Sequence, residues 1–472
     1  MPVTSQHGPM SPTTALITAM VLTSLIVPQI LTAADAISAS TRQAADDVVS
    51  LLGSGDADLR AVALDAIRHG LKGDWATRMV ADQLSSLPPS RQAALLLALA
   101  DRGDAAAVPA AAQVAASASN AEVRAAAVQL IGRLGGPADV AVLVTSLSAD
   151  GPQRDAARRG LVEIAGPDAA AAIRAAAATG SPATRAAVID ALAERRDRAA
   201  LPVLVQAAAD GDAAVRQAAM RALARFGGPN EIPAMVQSLL KASGDEQRAA
   251  ELAIASVCTA ARNAGPSTDV LIDRYQAADE PSRSKLLPAL ARVGGPKVMV
   301  IVDAMLADPA RRPQGLEALS KWPDATVKDR LLDLLGKADD PQEKDLLLGT
   351  LIRIAPLPDN KLNDREKLDL LVKTMALCER TEDKARILER ANAIRTVETF
   401  RFVVPYLDDP ALAEPACRSV VELAHHQKLR DANKDEFTKA LDRVLGITTN
   451  EELRERVARY KAGQTWDRKK KN

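Results

Sequence analysis

Four histidines, three cysteines and a regularly returning arginine are the residues of this 472-residue chain with chemistry to offer. His7 and His69 stand alone, while His425 and His426 are adjacent at the end of an apolar helical run. Neighbours on a helix point about 100° apart, so the pair is poorly placed to chelate one metal, and a helix C-terminus favours their charged form. Cys258, Cys378 and Cys417 are odd in number and widely spaced, without CxxC or CxxCH, and each reads as a small buried hydrophobe. Whether Cys378 and Cys417 pair across adjacent repeats is left open. No serine elbow, phosphate-cradling glycine loop or paired-carboxylate site stands at a recognisable spacing. The expected catalytic, cofactor and metal residues are therefore none, and partner-binding residues are unassigned.

The basic residue recurs about every 31 positions, as Arg60, Arg91, Arg124, Arg154, Arg185, Arg216, Arg248, Arg283, Arg312 and Lys344. Its surroundings repeat too. Four positions earlier stands an expected N-cap: Asp56, Asn120, Asp150, Ser181, Asp212, Asp279, Asp308 or Asp340. Pro182, Pro309 and Pro341 follow three of them, where a missing amide proton costs nothing. Seven positions after the basic residue comes an inward apolar side chain: Ile67, Ile131, Leu161, Leu192, Leu223, Leu290, Leu319 or Leu351. Glycine–proline signals such as Gly135-Gly136-Pro137 and Gly227-Gly228-Pro229 then stop the helix, with glycine expected in the left-handed conformation. A second amphipathic helix follows, as at residues 140–147, 201–208 and 232–240. One such hairpin cannot bury its own apolar face and must stack on neighbours, which predicts an all-α, right-handed α-solenoid of about a dozen hairpins.

The pattern D-x-x-V-R-x-A-A-x-x-A-L-x-x-x-G-G-P, at Asp212–Pro229 and less completely at Asn120–Pro137, resembles the short HEAT-like repeats of phycobilisome-lyase type. The resemblance covers about residues 45 to 356 and implies a HEAT/ARM-like superhelix in which the recurring arginine is a structural tie between repeats. It does not fix an activity, because such arrays serve as scaffolds, adaptors, lyases and nucleic-acid binders. Di-iron hydroxylases of this fold carry repeated His-Glu pairs; this chain has no His-Glu dipeptide.

Sixty basic residues balance sixty acidic ones, so no global field draws the chain to nucleic acid or anionic membrane. Arg158, Arg159, Arg221 and Arg225, expected on successive second helices, are the candidates for a local basic patch, but the middle repeats lack aromatics for base stacking. Residues 1–36 read as a signal peptide or leader: apolar from Ala15 to Val27, then Pro28, and a small-residue site at Ala34-Asp35-Ala36. The expected segments are that leader, a regular array over 37–356, diverged C-terminal repeats over 357–463 and a basic tail over 464–472.

After Lys344 the next basic marker is delayed to Lys384, with the loop 355–360 in the gap. Hairpins are expected over Asp383–Tyr406 and Ala411–His426, and a last one over Phe437–Tyr460, with Trp466 folding back on the final repeat. The ending resembles helical modules that accompany 3-keto-disaccharide hydrolase domains in exported bacterial proteins. The functional expectation is a non-catalytic scaffold or adaptor that binds a protein partner on its concave face. The chain would be periplasmic or extracellular, touching membrane only through an uncleaved leader. Alternatives are an accessory module of a carbohydrate- or redox-processing system with lyase-like activity, and nucleic-acid binding.

Overall fold

The computed structural model describes residues 39–260, 264–358 and 361–466. The leader site at residues 34–36 and the basic end 467–472 lie outside them. Every regular element among the described residues is a helix. The chain divides into two compact units, Met1–Ala253 and Ile254–Asn472. Each is a stack of antiparallel hairpins, so the architecture is an all-α solenoid.

In the first unit the first helices of successive hairpins include Pro89–Arg102, Ala121–Leu134, Pro152–Glu163, Pro182–Arg195 and Ala213–Phe226, each packed on the next. Their partners, among them Val108–Ser117, Val140–Ser146 and Ile232–Lys241, form a second row. The expected inward residues, from Ile67 through Leu351, are all fully buried. They form the seam between rows and neighbours, as a stripe of period 3.6 requires.

Six expected caps hold. The side chains of Asp56, Asn120, Ser181, Asp212, Asp279 and Asp340 each accept from a backbone N–H in the first turn, with Asp212 Oδ1 2.8 Å from Ala214 N. Two do not. Gly151 caps the helix starting at Pro152, and the exposed Asp150 instead pairs with Arg154 at 3.2 Å. Asp308 accepts from Ala310 N in a turn, and the helix begins only at Arg312, so Pro309 is not its first residue.

Of the Gly-Gly-Pro stops, Gly294 and Gly295 have the expected positive φ, 68° and 88°, and the other two differ from expectation. Gly135 and Gly227 have φ of -70° and -63°, not left-handed values. They are glycine for space: an added Cβ would lie 2.5 Å from the carbonyl oxygen of Ile131 and 2.6 Å from that of Leu223. A comparable closeness sets the packing of two first helices, because a Cβ on Gly132 would meet Gly160 Cα at 2.3 Å.

In the second unit the first helices run from Glu280–Val293 through Arg312–Ser320, Pro341–Ile354 and Thr381–Ala391 to Ala413–His425. The residues expected to form the hairpin 411–426 are this single last helix, and its partner is Lys434–Ile447. Glu451–Lys461 then packs on Ala413–His425 as a further first helix. The mismatch arises because the short helix Gln427–Ala432 is inserted at a hairpin turn. Phe400 and Phe437 stack with centroids 3.9 Å apart, joining neighbouring second helices where aromatics replace alanine. Trp466 does fold back, its ring 4.9 Å from the Arg456 guanidinium carbon.

Candidate interaction surface

The recurring arginine is positioned by its cap and faces the end of the preceding second helix, where four carbonyls lack intrahelical partners. Arg124 Nη1 donates to the carbonyls of Ala118 and Ser119 at 2.7 and 2.8 Å, and Arg216 Nη1 to those of Asp210 and Gly211 at 3.0 and 2.8 Å. Arg154 and Arg283 do the same to Leu147 and Ala149, and to Tyr275 and Gln276. The other edge of the guanidinium reaches forward. Arg124 Nε meets Gln153 Oε1 at 2.8 Å, Arg216 grips both oxygens of Glu246 at 2.8 and 2.9 Å, and Arg312 pairs with Glu343. Gln153, Glu246 and Glu343 stand one or two positions before the next basic marker. At Arg124, Arg216 and Arg312 the forward tie joins arginine to this residue, Arg185 pairs instead with Asp210, and the remaining arginines of the series make no forward tie among the described residues; the capping Asp212 serves its own helix.

A second row of arginines escaped the sequence reading. Arg195 Nη1 lies 2.9, 2.8 and 2.9 Å from the carbonyls of Leu161, Val162 and Ile164, at the end of the previous first helix. Arg102 binds the carbonyls of Ile67 and Gly73, and Arg353 that of Trp322 at 2.6 Å. Burial lowers the pKa of Arg102 and Arg353. The available signal was a basic residue in the last turn of first helices, which alone reads as a favourable dipole interaction.

The candidate basic patch is dispersed. Arg158, Arg159, Arg221 and Arg225 lie on the first helices Pro152–Glu163 and Ala213–Phe226, not on second helices. Arg158 pairs with Glu194 at 2.6 Å, and Arg221 is bidentate to Asp190 at 3.0 and 2.9 Å. Such pairs recur from hairpin to hairpin, as Lys297 with Asp269 and Arg418 with Glu389. Cross-paired charge of this kind leaves little field for a polyanion.

His69 sits at a helix end, 3.9 Å from Asp65. His425 Nδ1 is 3.0 Å from the Tyr460 hydroxyl. His426 departs from the expected dipole role: burial, then Arg395 and His425, lower its pKa, so its neutral form is favoured. Among the described residues no group of His, Cys, Asp or Glu could hold a metal ion. Cys258, Cys378 and Cys417 are free and buried, so the open question of a Cys378–Cys417 pairing closes against it here. Burial pushes the Cys258 thiol up to about 12, and the other two to about 11.

The surface opens where the period lengthens. A groove of about 410 Å³ lies between Lys328–Lys337, the start of Pro341–Ile354 and the turn into Thr381–Ala391. Leu332, Leu335, Leu348 and the 48% exposed Leu377 form its apolar part. Lys344, Asp345, Glu379 and Arg380 edge it. Arg380 is engaged with Asp345 at 2.7 Å and with the buried Asp383 at 2.9 Å, and Arg386 adds a contact to Asp383 at 3.3 Å. A second cavity, of about 400 Å³, adjoins Arg430, Lys434 and Lys461 at the C-terminal end. Arg430 is buried there, its guanidinium carbon 5.4 Å from the Tyr460 ring centre.

An all-α solenoid of stacked hairpins with arginine ties is a repeat protein, and the HEAT-repeat family profile matches residues 77–162 and 169–255. The chain thus carries HEAT repeats in those two regions. A search of curated protein sequences finds no match. Among solved structures, Kap121p is similar at 12% identity and a TM-score of 0.47, over 96% of this chain and 57% of that one. Importin beta matches at 14% identity and 0.33, over 88% and 72%. An engineered protein matches at 21% and 0.22, over 89% and 98%. The chain spans little more than half of the Kap121p chain it matches.

Proposed function

We propose that this chain is a non-catalytic scaffold outside the cytoplasm that binds a protein partner along its stacked hairpins. The observation that carries the reading is the use of the repeat-defining side chains. Arg124, Arg216 and Arg312 are engaged in stacking, and exposed charges pair between hairpins. What remains available is extended surface, interrupted by a leucine-lined groove with a charged edge, which suits a polypeptide ligand. The cross-paired arginines also weigh against nucleic acid. Support for the location is the apolar stretch from Ala15 to Val27 and the small-residue site that follows.

The test is cross-linking in intact cells, followed by fractionation and identification of the attached proteins. One recurrent partner, captured in the exported fraction and rebound by the purified chain, is the expected result. Turnover of a small-molecule substrate without any captured partner overturns the scaffold reading. Retention of the chain in the cytoplasm overturns the location alone.

A further inference from the structure

Arg216, Arg430 and Arg456 are the buried arginines among the described residues, and a buried guanidinium is costly unless its N–H groups are matched. Two of them are matched. Arg216 grips Glu246 through Nε and Nη2 and donates to the carbonyls of Asp210 and Gly211 through Nη1. Arg456 donates to Glu422 at 2.6 Å and to the Tyr460 hydroxyl at 3.2 Å. Arg430 is the exception. It stands where a basic marker would, four residues after the N-cap His426, and its Nη1 donates back to the carbonyl of Ala424 at 3.0 Å. Its Nε reaches Asp431 at 3.3 Å, and its Nη2 is buried without a hydrogen-bond partner among the described residues. Markers that make no forward tie, such as Arg154 and Arg283, are at least partly exposed, so solvent completes their hydrogen bonds. Arg430 is 3% exposed and bulk solvent does not reach it.

The cavity of about 400 Å³ lies against this arginine. Lys434 and Lys461 join Arg430 in its lining, opposed there by Asp431 alone. Asp442 pairs with Lys461, and with that carboxylate counted the cations are still in excess. Phe437 and Thr438 line it from the first turns of Lys434–Ile447, whose N-terminal amides receive no side-chain cap because Asn433 Nδ2 donates to Leu429 instead. An uncapped helix start favours an anion. The acidic residues of that turn, Asp435 and Glu436, lie outside the lining, and Glu436 is held by Arg401. We infer that the cavity binds a small phosphate monoester, one oxygen accepting from Arg430 Nη2 and the others facing Lys434 and Lys461. A tetrahedral dianion offers acceptors to three separate cations, where a carboxylate offers only two oxygens in one plane. The volume is that of a small-molecule site and leaves room for the body of the ester beside Phe437 and Leu441. The inference goes beyond the scaffold reading and does not depend on it.

The experiment is isothermal titration calorimetry on the full chain in chloride buffer, with inorganic phosphate, glycerol phosphate, acetate and a phosphoserine peptide as titrants. Both free phosphates bind with a Kd of about 1 mM or tighter, and acetate at least roughly tenfold more weakly. Lys434→Gln and Lys461→Gln each weaken glycerol phosphate about threefold, and Arg430→Gln weakens it roughly tenfold or more. Lys439→Gln removes the same charge from an exposed position on the same helix, outside the lining, and leaves the affinity unchanged. Circular dichroism checks the fold of each variant, and the exposed Lys434 and Lys461 keep the site testable if Arg430→Gln unfolds. No binding of either free phosphate at tens of millimolar assigns the cavity to water and overturns the inference. Equal weakening by Lys439→Gln, or acetate binding as tightly as phosphate, overturns it too. Tighter binding of the phosphoserine peptide than of glycerol phosphate moves the site to a protein ligand and overturns the small-molecule assignment.

Discussion

Replacing Gly132 by alanine sets two effects of opposite sign against each other. Within a helix the exchange gains about 1 kcal/mol, because alanine loses less backbone entropy. At Gly132 the new Cβ would sit 2.3 Å from Gly160 Cα, and ordinary carbon contacts begin near 3.5 Å, so the two first helices must part by more than 1 Å. Overpacking of that kind typically costs about 1–3 kcal/mol, and the atom in the way is backbone, which cannot rotate aside. The expected net is a loss of about 1 kcal/mol, within a range of about 0–2. Gly336, inside Lys328–Lys337, supplies the control: a Cβ there meets nothing within 4 Å. Gly336→Ala should gain close to the full 1 kcal/mol. Because hairpins of an array open locally, hydrogen exchange of the affected helix is the assay, supported by urea unfolding. Slower exchange in Ala121–Leu134 of the Gly132→Ala protein, matching the gain at Gly336, would refute the close approach of these helices.

Removing an arginine tie has a larger effect: Arg216→Ala strands two carbonyls and the carboxylate of Glu246, and should cost about 3–5 kcal/mol in urea unfolding. Arg216→Ala combined with Glu246→Gln should cost less than the sum of the two single changes. The three thiols, raised to about 11 or 12 by burial, should resist an aromatic disulfide reagent in native buffer and all react once urea unfolds the chain. His426 has a folded pKa below its usual 6.5, so the unfolded chain binds the proton first. Its stability contribution is complete above about pH 6.5 and falls as pH drops toward the folded pKa; His426→Asn should flatten unfolding midpoints over that window. Glu422, lowered chiefly by its hydrogen bond from Arg456, acts in the same direction at lower pH, losing its contribution as pH falls below the ordinary value near 4.5. Arg456→Gln should shift that acid limb upward.

Period, caps and apolar stripe made the fold legible, because each depends on neighbours within one helix. Ile131, Leu192 and Leu223 are buried where the spacing put them. The errors arose where one residue type serves two geometries. Asp150 and Asp308 have the chemistry of caps but sit in turns whose lengths the spacing does not encode. Gly135 and Gly227 stop helices as expected, yet their constraint is a neighbouring carbonyl rather than a dihedral angle. The second arginine row was hidden because its acceptors are main-chain oxygens a repeat away. The groove was hidden more deeply. Its leucines look like any helical stripe, and only stacking shows that Leu377 stays uncovered beside Leu332, Leu335 and Leu348. The sequence did mark the place, through the longer gap between Lys344 and Lys384.

Both arginine rows bind backward to main-chain oxygens, and every amino acid supplies the same oxygen. The receiving side of the joint is thus indifferent to its own sequence. A hairpin copied and inserted elsewhere in such a chain would find a ready socket without any matching substitution in its new neighbour. Assembly by duplication then needs little more than a correctly terminated helix to dock against, and a joint can be absent at one position, as at Lys344, while others such as those of Arg216 and Arg283 are kept.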